Sequence, residues 1–238
     1  MKKLLLILLC LPMVGFGQNV YIPDANFKAY LVNNRAINTS ADTEIQLSEA
    51  NSFNGNINCS SYNISDLTGI EDFIALTSLQ CWDNNITNID LSNCTNLVVL
   101  SSGNNNLTNL NLSNCSSLIS ITLGSNNLTN LDLRNGNNNI IDTLRIENNP
   151  NLYCINVDDS TWSVSNWSAP NIGQEYVWDS QSYFSNNCPP ATTIQEFITN
   201  KELLKVTDLL GRETKGTKNE LLLYIYDDGT VEKRITID

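Results

Sequence analysis

The sequence predicts a solenoid of short parallel strands with few helices, a helical N-terminal cap and a small C-terminal β domain. Three observations predict it. Leucines recur every 21 residues, as at Leu76, Leu97 and Leu118. A second apolar position keeps the same period at Ile86, Leu107 and Leu128. So does an amide, at Asn84, Asn105 and Asn126. Such a period means that each segment is one coil, and that neighbouring coils cover each other's apolar faces.

Written out, the repeat is L-x-x-L-x-(L/C/S)-x-x-N-N-(L/I)-T-N-(L/I)-x-L-S-N-C. One coil places Leu76, Leu79, Cys81, Asn84, Ile86, Ile89, Leu91 and Cys94. The next places Leu97, Leu100, Ser102, Asn105, Leu107, Leu110, Leu112 and Cys115, and a third runs from Leu118 to Leu133. A looser coil begins at Ile141, and a degenerate one with Ile57, Cys59, Ile64, Leu67 and Ile70 precedes the set. On these residues the segment 54–157 resembles leucine-rich repeat proteins of the short bacterial kind. The resemblance implies a leucine-rich repeat solenoid. The L-x-x-L-x-L run is expected as a strand, stacked at about 4.8 Å on its neighbours. The repeated Asn is expected to satisfy backbone groups in the bend that follows.

The ends differ from the repeats. Residues 1–17 read as a secretory signal: Lys2 and Lys3, an apolar run from Leu4, then Gly15-Phe16-Gly17. Cys10 fits a lipid-attachment site poorly, because Leu9 is large. Residues 18–53 read as an N-terminal cap, with Pro23 and Asp24 opening a helix that presents Phe27, Tyr30 and Leu31 on one face. Residues 158–190, rich in Trp and Tyr, are expected to cover the last coil; residues 191–199 read as a linker and 200–238 as the β domain.

Charge bears on partners. The 238 residues carry a formal charge of −12, and no histidine is present. Residues 18–195 hold 4 basic and 16 acidic side chains, which disfavours nucleic acid and anionic membranes. Without His there is no Ser–His or Cys–His nucleophile, and no carboxylate pair is recognisable.

Two further patterns bear on metal and disulfide chemistry. Residues 38–49 follow the spacing of a calcium loop, with Asn38, Ser40, Asp42, Glu44 and Glu49 as oxygen ligands. Asn38 stands where Asp is usual and Thr43 where Gly is needed, so the loop reads as degenerate; no other cofactor is implied. Among the cysteines, Cys59 with Cys81 and Cys94 with Cys115 are expected as buried thiols, because parallel in-register strands hold Cβ atoms too far apart for a bridge. Cys154 and Cys188 bracket the aromatic segment and are expected to form a disulfide.

Alternation along the strands gives a contact face. Gln80, Trp82, Ser101, Thr122, Arg145 and Glu147 are expected to point outward, with Gly103 and Gly124 between them. Trp82 is either an interface anchor or a lid on its own neighbour, and Gly103 leaves room for the indole to lie flat. The expected partner is an extracellular protein or glycan. A structural role without a ligand is the alternative, and a hydrolase the remote one.

The tail carries a second resemblance. Leu204–Glu213, Tyr224–Gly229 and Lys233–Ile237 resemble the C-terminal sorting domain (type A) of type IX secretion cargo, over about the last 40 residues. The residues that carry the likeness include Asp208, Gly211, Arg212, Tyr224, Asp228, Gly229 and Lys233. The likeness implies the type IX machinery as a partner, and a secreted or surface protein of a Gram-negative bacterium. Read from the residues alone, the tail is a hairpin turning at Asp228-Gly229, with its first strand broken at Gly211.

Overall fold

The computed structural model describes residues 18–167, 175–189, 203–207, 211–214, 221–226 and 231–235. The signal segment 1–17 and the linker 191–199 lie outside them. The chain divides into two compact units, Met1–Ala191 and Thr192–Asp238.

In the first unit three short helices flank or interrupt the coils: α1 (Ala25–Asn33), α2 (Leu47–Ser52) and α3 (Ser160–Trp167). The strands, three residues each, are β1 (Asn56–Asn58), β2 (Ser78–Gln80), β3 (Val99–Ser101), β4 (Asn109–Asn111), β5 (Ser120–Thr122), β6 (Asn130–Asp132), β7 (Thr143–Arg145), β8 (Cys154–Asn156), β9 (Glu175–Val177) and β10 (Tyr183–Ser185). They form two parallel sheets. One has six strands in the order β1-β2-β3-β5-β7-β9, the other four in the order β10-β8-β6-β4. This is a leucine-rich repeat solenoid with two strand ladders. The sequence reading foresaw the first ladder; the second arises from the later L-x-x-L-x-L run, such as Leu107, Leu110 and Leu112.

Register follows from the apolar period. Ile57, Leu79, Leu100, Ile121, Leu144 and Tyr176 align across the larger sheet. All but Tyr176 are fully buried. A slip of one residue would turn these side chains to solvent, so the burial fixes the register.

Asparagines tie coil to coil. Asn84 Nδ2 donates to the carbonyls of Cys59 and Cys81 at 2.9 and 3.0 Å, while its Oδ1 accepts from Ile64 N at 2.9 Å. Asn105, Asn126 and Asn149 repeat this, accepting from Ile86, Leu107 and Leu128. Just before each Asn, residues Asp83, Asn104, Ser125 and Asn148 take a positive φ of 57, 53, 58 and 59°. The turn therefore falls on Asn, Asp and Ser, short polar residues, of which Asn and Asp enter the left-handed region most readily.

The N-terminal cap is anchored by Asp24. Its Oδ1 accepts from Asn26 N and Phe27 N, and its Oδ2 from Ser65 N and Oγ, all at 2.9 Å. One carboxylate thus caps α1 and fastens it to the first coil. Phe27 and Leu31 are fully buried, and Tyr30 places its hydroxyl where Asn58 N donates to it at 2.9 Å.

At the other end the aromatic segment does more than cover the last coil. It extends both sheets, β9 pairing with β7 and β10 with β8. Phe184 packs against Trp167 and Trp178 with ring centroids 5.1 and 5.0 Å apart. Asp179 closes the backbone here, its carboxylate accepting from Asn148 N and Asn149 N at 2.9 and 2.6 Å. Cys154 and Cys188 form a disulfide, their Cα atoms 5.7 Å apart.

The second unit holds an antiparallel sheet of β11 (Leu203–Thr207), β12 (Leu221–Tyr226) and β13 (Val231–Ile235) in the order β11-β12-β13. Leu221 pairs with Ile235 and Ile225 with Val231, the register of a hairpin.

Candidate ligand-contact face

The larger sheet turns alternate residues outward. Gln80, Ser101, Thr122, Arg145 and Val177 align in one row. Two positions further on, Trp82, Gly103, Gly124 and Glu147 continue the coil-to-coil bonding: the carbonyls of Gly103, Gly124 and Glu147 accept from Asp83, Asn104 and Ser125 N at 3.0, 2.8 and 2.9 Å. Stacking therefore places residues from four coils side by side.

A shallow groove of about 380 Å³ lies across these rows. It brings together Trp82, Ser101, Thr122, Arg145 and Glu147, and leaves Gln80 outside its lining. Asn104 and Ser125, which the alternation argument did not single out, also line it. They sit at the left-handed corner, and the only sequence signal for them was the residue before each repeated Asn.

One end of the groove is an aromatic plane, the other an ion pair. Trp82 is 48% exposed. Arg145 Nη2 lies 2.8 Å from Glu147 Oε1, and its Nη1 lies 3.3 Å from Glu175 Oε1. The hydrogen bond and charge of Glu147, then the charge of Glu175, raise the guanidinium's affinity for its proton.

The glycines are needed for a reason other than the one foreseen. A Cβ on Gly103 would meet the carbonyl oxygen of Gly124 at 3.0 Å, so a side chain here would press on the next coil's backbone. A Cβ on Gly124 would meet Glu147 Cδ at 3.1 Å; the Glu147 side chain lies against this glycine. Gly124 lets the carboxylate sit close to the sheet, where Arg145 holds it.

A larger groove of about 570 Å³ lies along the smaller sheet, lined by Asn109, Asn111, Asn130, Asp132 and Asn156 among others. Several of its polar atoms already serve the protein. Asn109 Oδ1 accepts from Asn130 Nδ2, Asn111 Oδ1 from Ser113 N, and Asn156 Oδ1 from Cys188 N, at 2.6, 2.9 and 2.7 Å. Asp132 is bound to Arg134 at 2.6 Å. The smaller groove is therefore the better candidate for a ligand.

In the calcium-like loop the structure draws the oxygens into protein bonds. Asn38 is buried and donates to the carbonyls of Val32 and Asp42 at 2.9 and 2.8 Å, while its Oδ1 accepts from Ser40 Oγ at 3.1 Å. Glu49 accepts from Thr39 Oγ1, Ser40 N and Gln46 N at 2.9, 2.7 and 3.0 Å, closing a capping box on α2. Asp42 accepts from Glu44 N and Gln46 Nε2, and Glu44 turns away to Lys28 Nζ at 2.7 Å. Among the described residues no group of three or more His, Cys, Asp or Glu is placed to hold a metal ion.

Cys59, Cys81, Cys94 and Cys115 are free and buried. Burial raises every one of these thiols, Cys81 and Cys94 to about 12 and Cys115 to about 11. They are packing groups that stay protonated at neutral pH.

No protein-family model matches the chain, and no curated protein sequence does. Among solved structures it is similar to an internalin from Listeria monocytogenes strain 4b F2365, with 22% identity over 61% of this chain and 46% of that one, at a TM-score of 0.47. It is also similar to the functional domain of InlJ from Listeria monocytogenes, described as including a cysteine ladder, with 26% identity over 59% and 38% of the two chains at a TM-score of 0.41. The chain thus spans less than half the length of either.

In the tail, Gly211 has a φ of 78°, in the turn after β11 where Thr207 bridges Glu213. Arg212 is exposed, Tyr224 lies in β12 and Lys233 in β13. Asp208, Asp228 and Gly229 fall outside the described residues. Among the described residues no helix is long and apolar enough to cross a membrane.

Proposed function

We propose that this chain is an exported recognition protein that binds an extracellular protein or glycan through the outward face of its larger sheet. The observation that carries the reading is the groove in which Trp82, Ser101, Thr122, Arg145 and Glu147 meet. A half-exposed Trp at one end of a groove that ends in an ion pair is the kind of anchor recognition surfaces use. The face needs no chemistry of its own, in keeping with a chain that lacks histidine.

The test is capture from extracellular extracts by the full mature chain. Changing Trp82→Ala together with Arg145→Glu should abolish capture while the circular dichroism spectrum stays the same. If the double variant retains the same partners, the face is a structural surface and the reading fails.

We propose that the C-terminal β unit, on its resemblance, acts as a type IX sorting signal and carries the protein to or beyond the outer membrane of a Gram-negative cell. Deleting residues 200–238 should leave the chain in the periplasm. Arrival at the surface without them ends this part of the proposal.

A further inference from the structure

We infer that the groove at Trp82 takes a neutral carbohydrate, an oligosaccharide chain lying across the strands. The inference rests on the recognition role proposed above and names its ligand class.

Three features argue for it. The first is the ratio of apolar to polar surface. Protein-binding hot spots cluster several large side chains in a dry centre. Here Trp82 is the one aromatic lining the groove, and around it stand Ser101, Thr122, Asn104 and Ser125, short hydroxyls and an amide. A sugar ring has the matching character: one face of C–H groups that stacks on an indole, and a rim of hydroxyls that both donate and accept.

The second is shape. Trp82, Gly103, Gly124 and Glu147 occupy successive strands, so at about 4.8 Å per strand the indole and the carboxylate are rooted roughly 14 Å apart. Neither Gly103 nor Gly124 adds a side chain of its own, so the floor is main chain at Gly103 and is overlaid by the Glu147 carboxylate at Gly124. The span suits a short extended ligand lying between the indole and that carboxylate. The volume of about 380 Å³ falls within the range of small-molecule sites.

The third is charge. Arg145 is flanked by Glu147 and Glu175 at 2.8 and 3.3 Å. Two carboxylates against one guanidinium leave this end of the groove net negative, which repels uronates, sulfated sugars and phosphates. The exposed part of the Arg145 guanidinium and the Glu175 carboxylate still offer donors and an acceptor to hydroxyls. A neutral chain fits this balance and an anionic one does not.

The experiment is affinity electrophoresis of the full mature chain in gels containing mixed-linkage β-glucan, xyloglucan, galactomannan or dextran, with alginate as the anionic control. The expected result is retardation by at least one neutral polysaccharide and none by alginate. Trp82→Ala should weaken it at least about tenfold, and Trp82→Phe, which keeps an aromatic plane, should restore most of it. Unchanged thermal unfolding of both variants removes misfolding as a cause. Retardation by alginate, or by a neutral polysaccharide equally well in Trp82→Ala, overturns the inference. If no polysaccharide retards the chain while the Trp82→Ala, Arg145→Glu variant still loses its extracellular partners, the carbohydrate inference falls and the recognition face stands. If that variant keeps its partners, both fall.

Discussion

The side-chain Oδ1 of Asn105 accepts a hydrogen bond from the main-chain N–H of Ile86, in the preceding coil, at 3.0 Å. The same amide donates to the carbonyls of Cys81 and Gly103 at 3.0 and 3.1 Å. Removing it strands the buried N–H of Ile86 and takes one bond from carbonyls that keep another, Cys81 from Asn84 Nδ2 and Gly103 from Asp83 N. Asn105→Ala should therefore cost about 1–3 kcal/mol, the penalty of one stranded buried group. The exposed neighbour Asn106→Ala should cost less than about 0.5 kcal/mol. Urea unfolding of the two variants measures the difference; equal costs would mean the ladder is dispensable.

The disulfide closes a stretch with a sequence separation of 34 and ties β8 to the chain leaving β10. Replacing both Cys154 and Cys188 by Ser should lower stability by roughly 3–4 kcal/mol. The loss should appear first in the fluorescence of the Trp167, Trp178 and Phe184 cluster, which packs at this end.

High pH should also destabilise the core. Cys81, Cys94 and Cys115 are raised from an ordinary value of 9.0 to about 12, 12 and 11 by burial. Unfolding frees them to ionise near 9, so the unfolded chain binds fewer protons and stability falls as pH rises above that point. In the folded protein at pH 8 these thiols should resist a water-soluble disulfide reagent, and in denaturant Cys59, Cys81, Cys94 and Cys115 should all react. Rapid labelling of the native protein would contradict the burial.

The acid limb has the opposite sign. Burial tends to raise Asp24, but the hydrogen bonds from Ser65, Phe27 and Asn26 outweigh it and hold its pKa below the usual 3.8. Glu49 is lowered in the same way by Ser40, Gln46 and Thr39. Both therefore contribute stability above the ordinary carboxylate range and lose it as pH falls through their depressed values. Asp24→Ala should cost about 0.5–2 kcal/mol at pH 7 and flatten the acid limb of the unfolding profile. A variant with the wild-type acid limb would show that Asp24 does not fasten the cap.

The coil register was legible because its period survives in residues with one physical role: Leu79, Leu100, Ile121 and Leu144 are all fully buried. The ladder role of Asn105 followed from its repetition alone. The aromatic segment reads as a cover because it is rich in Trp and Tyr; that Tyr176 and Phe184 take the core positions of β9 and β10 is hidden in the sequence by α3, which breaks the period. In the calcium-like loop spacing placed Asn38, Asp42 and Glu49, but not what their oxygens bond to: backbone N–H groups donate to Asp42 and Glu49, and the Ser40 hydroxyl to Asn38. The groove was visible as alternation at Trp82, Ser101, Thr122 and Arg145, whereas the packing of Glu147 against Gly124 depends on side-chain geometry.

Asp179 occupies the step where a further coil would otherwise attach, and it offers only acceptors to the N–H groups of Asn148 and Asn149. It is a terminator. A chain cut back before residue 175 would lose this stopper along with β9 and β10, moving the outer edges of both sheets back to β7 and β8 and freeing the N–H groups of Asn148 and Asn149. A fragment of this kind would bare polar backbone and apolar core together at its tip, and should be prone to add strands from its neighbours.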